Sequence, residues 1–207
     1  MPADFEKQYY WKQRFQKEKA FEWLTTSPTF INTFTPYLDS LDPTIEILHL
    51  GSGTSDLHNH LRKRGFLNVT NIDYEPLALE RRQQLERNVF GDVKTKYRVA
   101  DVTKLDINSD QPNKCQLIID KSTIDAVACG GDEAVVAMAQ GIYKILNGQN
   151  GVWISLSFSE HRFDDERIKE LFDVQVVTKV ATEKRLESDP DLWHWCYSLR
   201  PKKMQQH

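Results

Sequence analysis

Gly51, Gly53, Asp73 and Asp101 are the residues whose types and spacing point to ligand chemistry. Gly51-Ser52-Gly53 falls in the stretch ILHLGSGTSD, where an apolar run gives way to a polar, helix-competent segment. A strand ending in a tight turn that opens a helix aims backbone N–H groups and the helix's positive end at one spot, which suits an anionic or strongly polar ligand. Asp73 follows the first glycine by about 20 residues, the place from which a carboxylate holds both hydroxyls of a ribose. Asp101 ends the next short strand-like run, KYRVAD, and is followed by Val102, pairing an acceptor for an adenine amino group with an apolar side chain for the ring. A dinucleotide, a nucleoside triphosphate and adenosylmethionine are the ligands to weigh. The dinucleotide fingerprint wants a third glycine where Asp56 stands, which disfavours a nicotinamide oxidoreductase. The phosphate loop wants a lysine after a longer glycine loop, and none is supplied.

These residues need strands and helices in alternation to hold them. IEILHL (45–50), VTNID (69–73), KYRVAD (96–101), CQLIID (115–120) and GVWISLSF (151–158) read as strands. Helical patterns occupy 56–64, stopped by Gly65, then 75–88 and 132–146. Before the first strand, Thr26-Ser27-Pro28 caps a helix whose apolar positions run from Phe30 to Leu41. Strand and helix in turn predict a Rossmann-like, doubly wound α/β sheet of seven strands, mostly parallel. Two β-rich runs close the chain, 172–182 and 193–201, and predict an antiparallel pair at one edge. NSDQPNK (108–114) reads as a surface connection. The whole chain, 1–207, reads as one domain, with 1–42 as an N-terminal helical lid segment and 43–207 as the core.

Composition narrows the function classes. Forty per cent hydrophobic and 28% charged residues with a net charge of −3 lack the basic excess of a nucleic-acid binder. Cys115, Cys129 and Cys196 are scattered, and His58 and His60 stand two apart on different helix sides, so no metal site is expected. His161, His194 and Cys196 suggest no partner. The start of the chain is charged and aromatic, and no run approaches the roughly 18 apolar residues of a membrane span. A cytoplasmic monomer without membrane or direct nucleic-acid partners is expected.

The segments YYWKQRF, KAFEWL, ILHLGSGTSD, NVTNIDYEPLA, VADVTKLD and LIIDKSTIDAV together resemble the class I S-adenosylmethionine-dependent methyltransferases. Within that class the chain is similar to the group containing the lysine methyltransferases of translation elongation factor 1-alpha. The resemblance implies S-adenosyl-L-methionine as cofactor, S-adenosyl-L-homocysteine as product, and a protein lysine as acceptor, elongation factor 1-alpha first. It places Trp11, Phe15, Phe21, Gly51, Gly53, Asp73, Tyr74, Asp101, Val102 and Lys121 at cofactor-contact positions. Phe15 and Phe21 stand where tyrosine is expected, and His49 where many relatives carry an acid.

Methyl transfer from a sulfonium is an in-line displacement, so alignment and exclusion of water carry most of the work. Trp11, Phe15 and Phe21 would close over a cationic cofactor with their ring faces, or else form a buried core stripe. No catalytic residue follows from the sequence; Lys121 and Asp125 are the candidates, against readings as a solvated charge and a turn residue. Trp193, Trp195 and Tyr197 alternate and are expected to pack one face of the last strand. Asp120-Lys121-Ser122-Thr123 replaces the Asn/Asp-Pro-Pro-aromatic signature of many amide- and base-modifying enzymes, which favours an amine acceptor. A small-molecule methyltransferase and a non-catalytic interaction protein on the same fold are the rival readings.

Overall fold

The computed structural model describes residues 4–105, 115–182, 186–188 and 190–203. In chain order the helices and strands are α1 (Gln8–Lys17), α2 (Ser27–Thr33), α3 (Thr35–Leu38), β1 (Glu46–Leu50), α4 (Leu57–Lys63), β2 (Val69–Asp73), α5 (Pro76–Phe90), β3 (Lys96–Val99), β4 (Cys115–Lys121), α6 (Thr123–Ala128), α7 (Asp132–Ile145), β5 (Val152–Ser157), α8 (Glu166–Leu171), β6 (Phe172–Ala181) and β7 (Trp193–Pro201).

The described strands form one seven-stranded sheet in the order β3-β2-β1-β4-β5-β7-β6. β1 pairs in parallel with β2 and β4, setting His49 beside Asn71 and Leu50 beside Asp120. β7 runs against both β5 and β6, which supplies the expected antiparallel edge pair. The chain winds outward from β1 to β3 and then returns to β4 on the other side of β1. That reversal opens a crevice at the carboxyl ends of β1 and β4.

Both faces of the sheet are covered, so its central strands read as unbroken apolar runs. Ile47, Leu117 and Ile154 pack on one face against Phe30, Phe34, Leu38, Leu57 and Leu61. Leu48, Leu50, Ile118 and Trp153 point the other way, toward Ile124, Met138, Ile142 and Ile168. The period-two alternation of β1 thus feeds two cores at once.

Two expectations change, and two short helices join the expected elements. The single helix before β1 is two, broken at Phe34, whose φ of −129° is not helical; Pro36 cannot donate into a continuing ladder. Those two helices belong to the core and not to the lid, since Phe30, Ile31, Phe34 and Leu38 are buried in it. α6 and α8, six residues each, are too short to show a helical period in sequence. The expected connection at 108–114 lies outside the described residues.

Candidate active site

Gly51 and Gly53 both take left-handed backbone, with φ of +56° and +51°, where a side chain is strained. A Cβ on Gly51 would also stand 2.2 Å from Thr123 Oγ1. Thr123 holds that place because its hydroxyl donates to the Leu50 carbonyl at 2.9 Å, stitching the end of β1 to the start of α6. Ser122 turns the chain there with a φ of +67°.

Asp73, buried at the end of β2, accepts from Gly53 N at 2.8 Å and Glu75 N at 2.9 Å, one on each carboxylate oxygen. Burial nevertheless pushes its pKa up to about 6, against the pull of those two amides. Each oxygen keeps a second lone pair. Asp101 accepts from Thr103 N and Thr103 Oγ1 at 2.9 and 2.7 Å, and pairs with Lys104 at 3.4 Å. Its burial raises the pKa, but these partners outweigh it and the net shift is downward. His49 is fully buried with Nδ1 3.2 Å from the Asn71 side-chain oxygen. Burial and the charge of Arg82 bring its pKa down to about 3, so the imidazole is neutral. Beneath the turn, Arg82 donates to the Ser52 carbonyl at 3.1 Å.

The N-terminal segment closes the crevice as a cluster of rings. Trp11 lies 5.5 Å from Phe15 and 5.8 Å from Trp23, and Trp23 lies 5.2 Å from Phe21. The Arg14 guanidinium sits 4.6 Å from the Trp23 ring centre and 4.9 Å from that of Phe21, held by Glu18 at 2.7 and 2.8 Å. Trp11 donates to the Phe5 carbonyl at 2.6 Å. A side chain on Gly53 would reach toward the Phe15 ring, 3.8 Å from its Cβ.

Together these elements enclose a cavity of about 450 Å³, within the range of small-molecule sites. Trp11, Phe15, Phe21, Gly51, Gly53, Asp73, Tyr74, Asp101, Val102, Lys121 and Asp125, residues drawn from across the sequence, all line it.

No protein-family model matches the chain. It is 51% identical over 201 residues to Methyltransferase srdJ of Neurospora crassa, covering 96% of this chain and 85% of that one. It is 30% identical over 165 residues to the eEF1A lysine and N-terminal methyltransferase homolog of Drosophila melanogaster, covering 76% of this chain but only 23% of that one. Among solved structures, N-methyltransferase NodS from Bradyrhizobium japonicum, in complex with S-adenosyl-L-homocysteine, superposes with a TM-score of 0.63 at 13% identity, covering 93% and 99% of the two chains. The chain belongs to the class I S-adenosylmethionine-dependent methyltransferases.

For a methyltransferase of this class, two candidate residues are already committed to structure. Lys121 lines the cavity, but its ammonium donates to Glu22, to the Trp23 carbonyl at 2.8 Å and to the Thr25 carbonyl at 3.0 Å. Those acceptors use its three protons and tie the N-terminal segment to β4. Burial lowers its pKa, and Glu22 opposes the shift. Asp125 accepts from Ser122 Oγ, Ser157 Oγ, Phe158 N and Arg162 Nε at 3.2, 2.5, 3.1 and 3.0 Å. Its carboxylate pins α6 to the end of β5.

Glu22, Trp23, Thr123 and Phe5 also belong to the site: Phe5, Trp23 and Thr123 line the cavity and Glu22 holds Lys121. Glu22 and Trp23 sit inside the KAFEWL segment and Thr123 inside LIIDKSTIDAV, which is the only signal the sequence gives for their place in the site. Of the residues assigned no ligand role, His58 is buried against Arg82, and His60 pairs with Asp56 at 3.1 Å. His161 pairs with Asp164 at 2.8 Å, while Cys196 lies 3.2 Å from the Thr33 hydroxyl. Tyr197 is buried while Trp193, on the same face at the strand's open end, is exposed.

Proposed function

We propose that this methyltransferase transfers the methyl group of S-adenosyl-L-methionine to a lysine side chain of a protein, with elongation factor 1-alpha as the first candidate. The observation that carries the proposal is the ring-walled cavity over a preset glycine turn and two strand-end carboxylates. The donor set fits the cofactor. Asp73, fixed by two amides and retaining two lone pairs, would hold the ribose hydroxyls. Asp101 would take the adenine amino group, with Val102 against the ring. Trp11, Phe15 and Phe21 would cover the cationic end. The cofactor supplies an electrophilic methyl on a sulfonium.

This chain's residues then have three tasks: to orient, to exclude water and to favour a neutral amine. Phe5, Trp23 and Phe158 line the same cavity and would surround the acceptor with apolar surface. Desolvation there lowers the pKa of a lysine ammonium and frees its lone pair without a dedicated base. The rate should therefore rise with pH toward the amine's pKa. The relatives named as eEF1A lysine methyltransferases support the acceptor class. No helix among the described residues is long and apolar enough to cross a membrane.

A small-molecule acceptor is the competing reading, because the relative at 51% identity is named for its reaction alone. Purified protein incubated with methyl-labelled cofactor and elongation factor 1-alpha decides between them. Label on the protein, lost when its accessible lysines become arginine, is expected. Label that survives those replacements, or that enters only the small-molecule fraction of a lysate, removes the lysine assignment.

A further inference from the structure

Two buried arginines of the chain are served differently. Arg62 donates to Glu86 at 2.6 Å and also pairs with Asp92. Arg82, only 1% exposed, meets no carboxylate among the described residues: it bonds the Ser52 carbonyl and His58 Nδ1, and its Nε has no partner. The Glu22, Asp56 and Asp73 carboxylates favour its charge from a distance but make no contact with it, so the cost of its burial is only partly offset.

Arg82 lines a second cavity of about 290 Å³, between α5 and the segment that follows α1. Lys19 and Arg81 line it too, with the neutral hydrogen-bonding side chains of Thr54, Gln84 and Asn88. Its described lining thus carries three cationic side chains and no carboxylate, in a chain of net charge −3. The nearby Glu18 carboxylate is turned away onto Arg14.

We propose that this second cavity binds a phosphate-class oxyanion, free phosphate or the phosphate of a small monoester, held among Lys19, Arg81 and Arg82. Its position would make the ion a clamp. Arg81 donates to the Glu18 and Gln16 carbonyls of the N-terminal segment. Thr54 lines both cavities, and its hydroxyl accepts from Phe21 N at 3.0 Å. Arg82 holds the glycine turn through Ser52. An oxyanion between Lys19 on the lid side and Arg81 and Arg82 on α5 therefore ties the lid to the turn, and tightens binding in the main cavity. That coupling rests on the cofactor reading; the oxyanion site itself does not.

The test uses the full chain in phosphate-free buffer at constant ionic strength set with chloride. Inorganic phosphate is titrated first without and then with S-adenosyl-L-homocysteine, by thermal shift and calorimetry. Saturable binding in calorimetry without the nucleoside is expected, with a melting temperature that climbs as the logarithm of phosphate concentration, as mass action requires of a site. The nucleoside's affinity should rise about fivefold or more at saturating phosphate, the ordinary scale of coupling between sites. Lys19→Glu places a carboxylate at the exposed mouth, and should abolish both effects while leaving basal nucleoside binding unchanged. A parallel titration with glycerol phosphate separates the sources: response to phosphate alone assigns the free ion, and response to both assigns room for a monoester. A rise that stays linear, as for general salt exclusion, overturns the site. So does a saturating effect that persists in Lys19→Glu. If homocysteine nucleoside binds under no condition while phosphate saturates, the cofactor reading fails and the oxyanion site stands.

Discussion

Asp73 and His49 flank the glycine turn and answer pH in opposite directions. Burial raises the folded pKa of Asp73 to about 6, so the folded state holds a proton that the unfolded state has released, and stability from this group falls as pH rises through about 4 to 6. His49 is held neutral, with its pKa down to about 3, so its contribution is complete above about 6.5 and is lost as pH falls toward 3. His49→Gln keeps a side-chain donor for Asn71 and removes the titration. Urea unfolding at pH 7 and pH 4.5 should show the wild type losing up to about 1.4 kcal/mol more per pH unit than the variant in this window; parallel losses in both proteins exclude His49 as the source. Asp73→Asn, which preserves one amide contact, should leave the fold intact and weaken S-adenosyl-L-homocysteine binding by about 1–3 kcal/mol in calorimetry. Wild-type affinity should fall as pH drops below about 6, where Asp73 takes up its proton, and the variant should lose that dependence. The two glycines, Asp73 and Asp101 were legible because each sits at a strand end that its own neighbours announce. The tie of Lys121 to Glu22 and the place of Arg82 were not: their partners, Glu22 and the Ser52 carbonyl, are 99 and 30 residues away in sequence.

At the scale of elements, legibility followed length and burial. The central strands β1, β4 and β5 show in sequence because burial on both faces makes each a short apolar run, whereas the edge strand β3, KYRV, has no buried residue and shows only by its place in the alternation; β7 begins at Trp193 and ends at Pro201 as its pattern indicates. α6 did not show, because six residues carry less than two helical turns of periodicity and its start is fixed by Thr123 bonding Leu50, a tertiary contact. The lid was legible as aromatic and helical, but the latch that shuts it was not. Glu22 joins three elements: it takes the Lys121 ammonium, the Ser27 hydroxyl at 2.9 Å and Asp56 N at 3.2 Å. Glu22→Gln retains an oxygen for the neutral donors and removes the charge opposite Lys121. Hydrogen exchange should then quicken over the lid, residues 4–25, with the protection of β1, β4 and β5 unchanged, and homocysteine nucleoside affinity should fall. Uniform loss of protection across lid and core would show that the pair stabilises the whole fold instead of its cover.

For the molecule as a whole, the question is where the cover ends and the folding unit begins. Hydropathy and strand count mark residue 43 as the start of the core, because the sheet begins there. Packing moves that boundary. Phe30 is fully buried, and Ile31, Phe34 and Leu38 are each no more than 2% exposed, closing one face of the sheet over Ile47, Leu57 and Leu61. Thr26 caps α2 by accepting from Thr29 N at 3.3 Å, so the capped unit begins just after the lid. Large apolar side chains of this kind cost about 2–5 kcal/mol each when deleted, and four of them together rival the ~5–15 kcal/mol that stabilises an ordinary domain. Residues 4–22 contribute differently: of α1 only Phe15 is buried, and the rings around it face the cavity. A chain beginning at residue 24 is therefore expected to unfold cooperatively in urea, yet to bind S-adenosyl-L-homocysteine far more weakly than the full chain. A chain beginning at residue 43 is expected to show no cooperative transition. Circular dichroism across a urea series, with calorimetry on whichever chains fold, separates the outcomes, and a cooperative chain from residue 43 would return α2 and α3 to the lid.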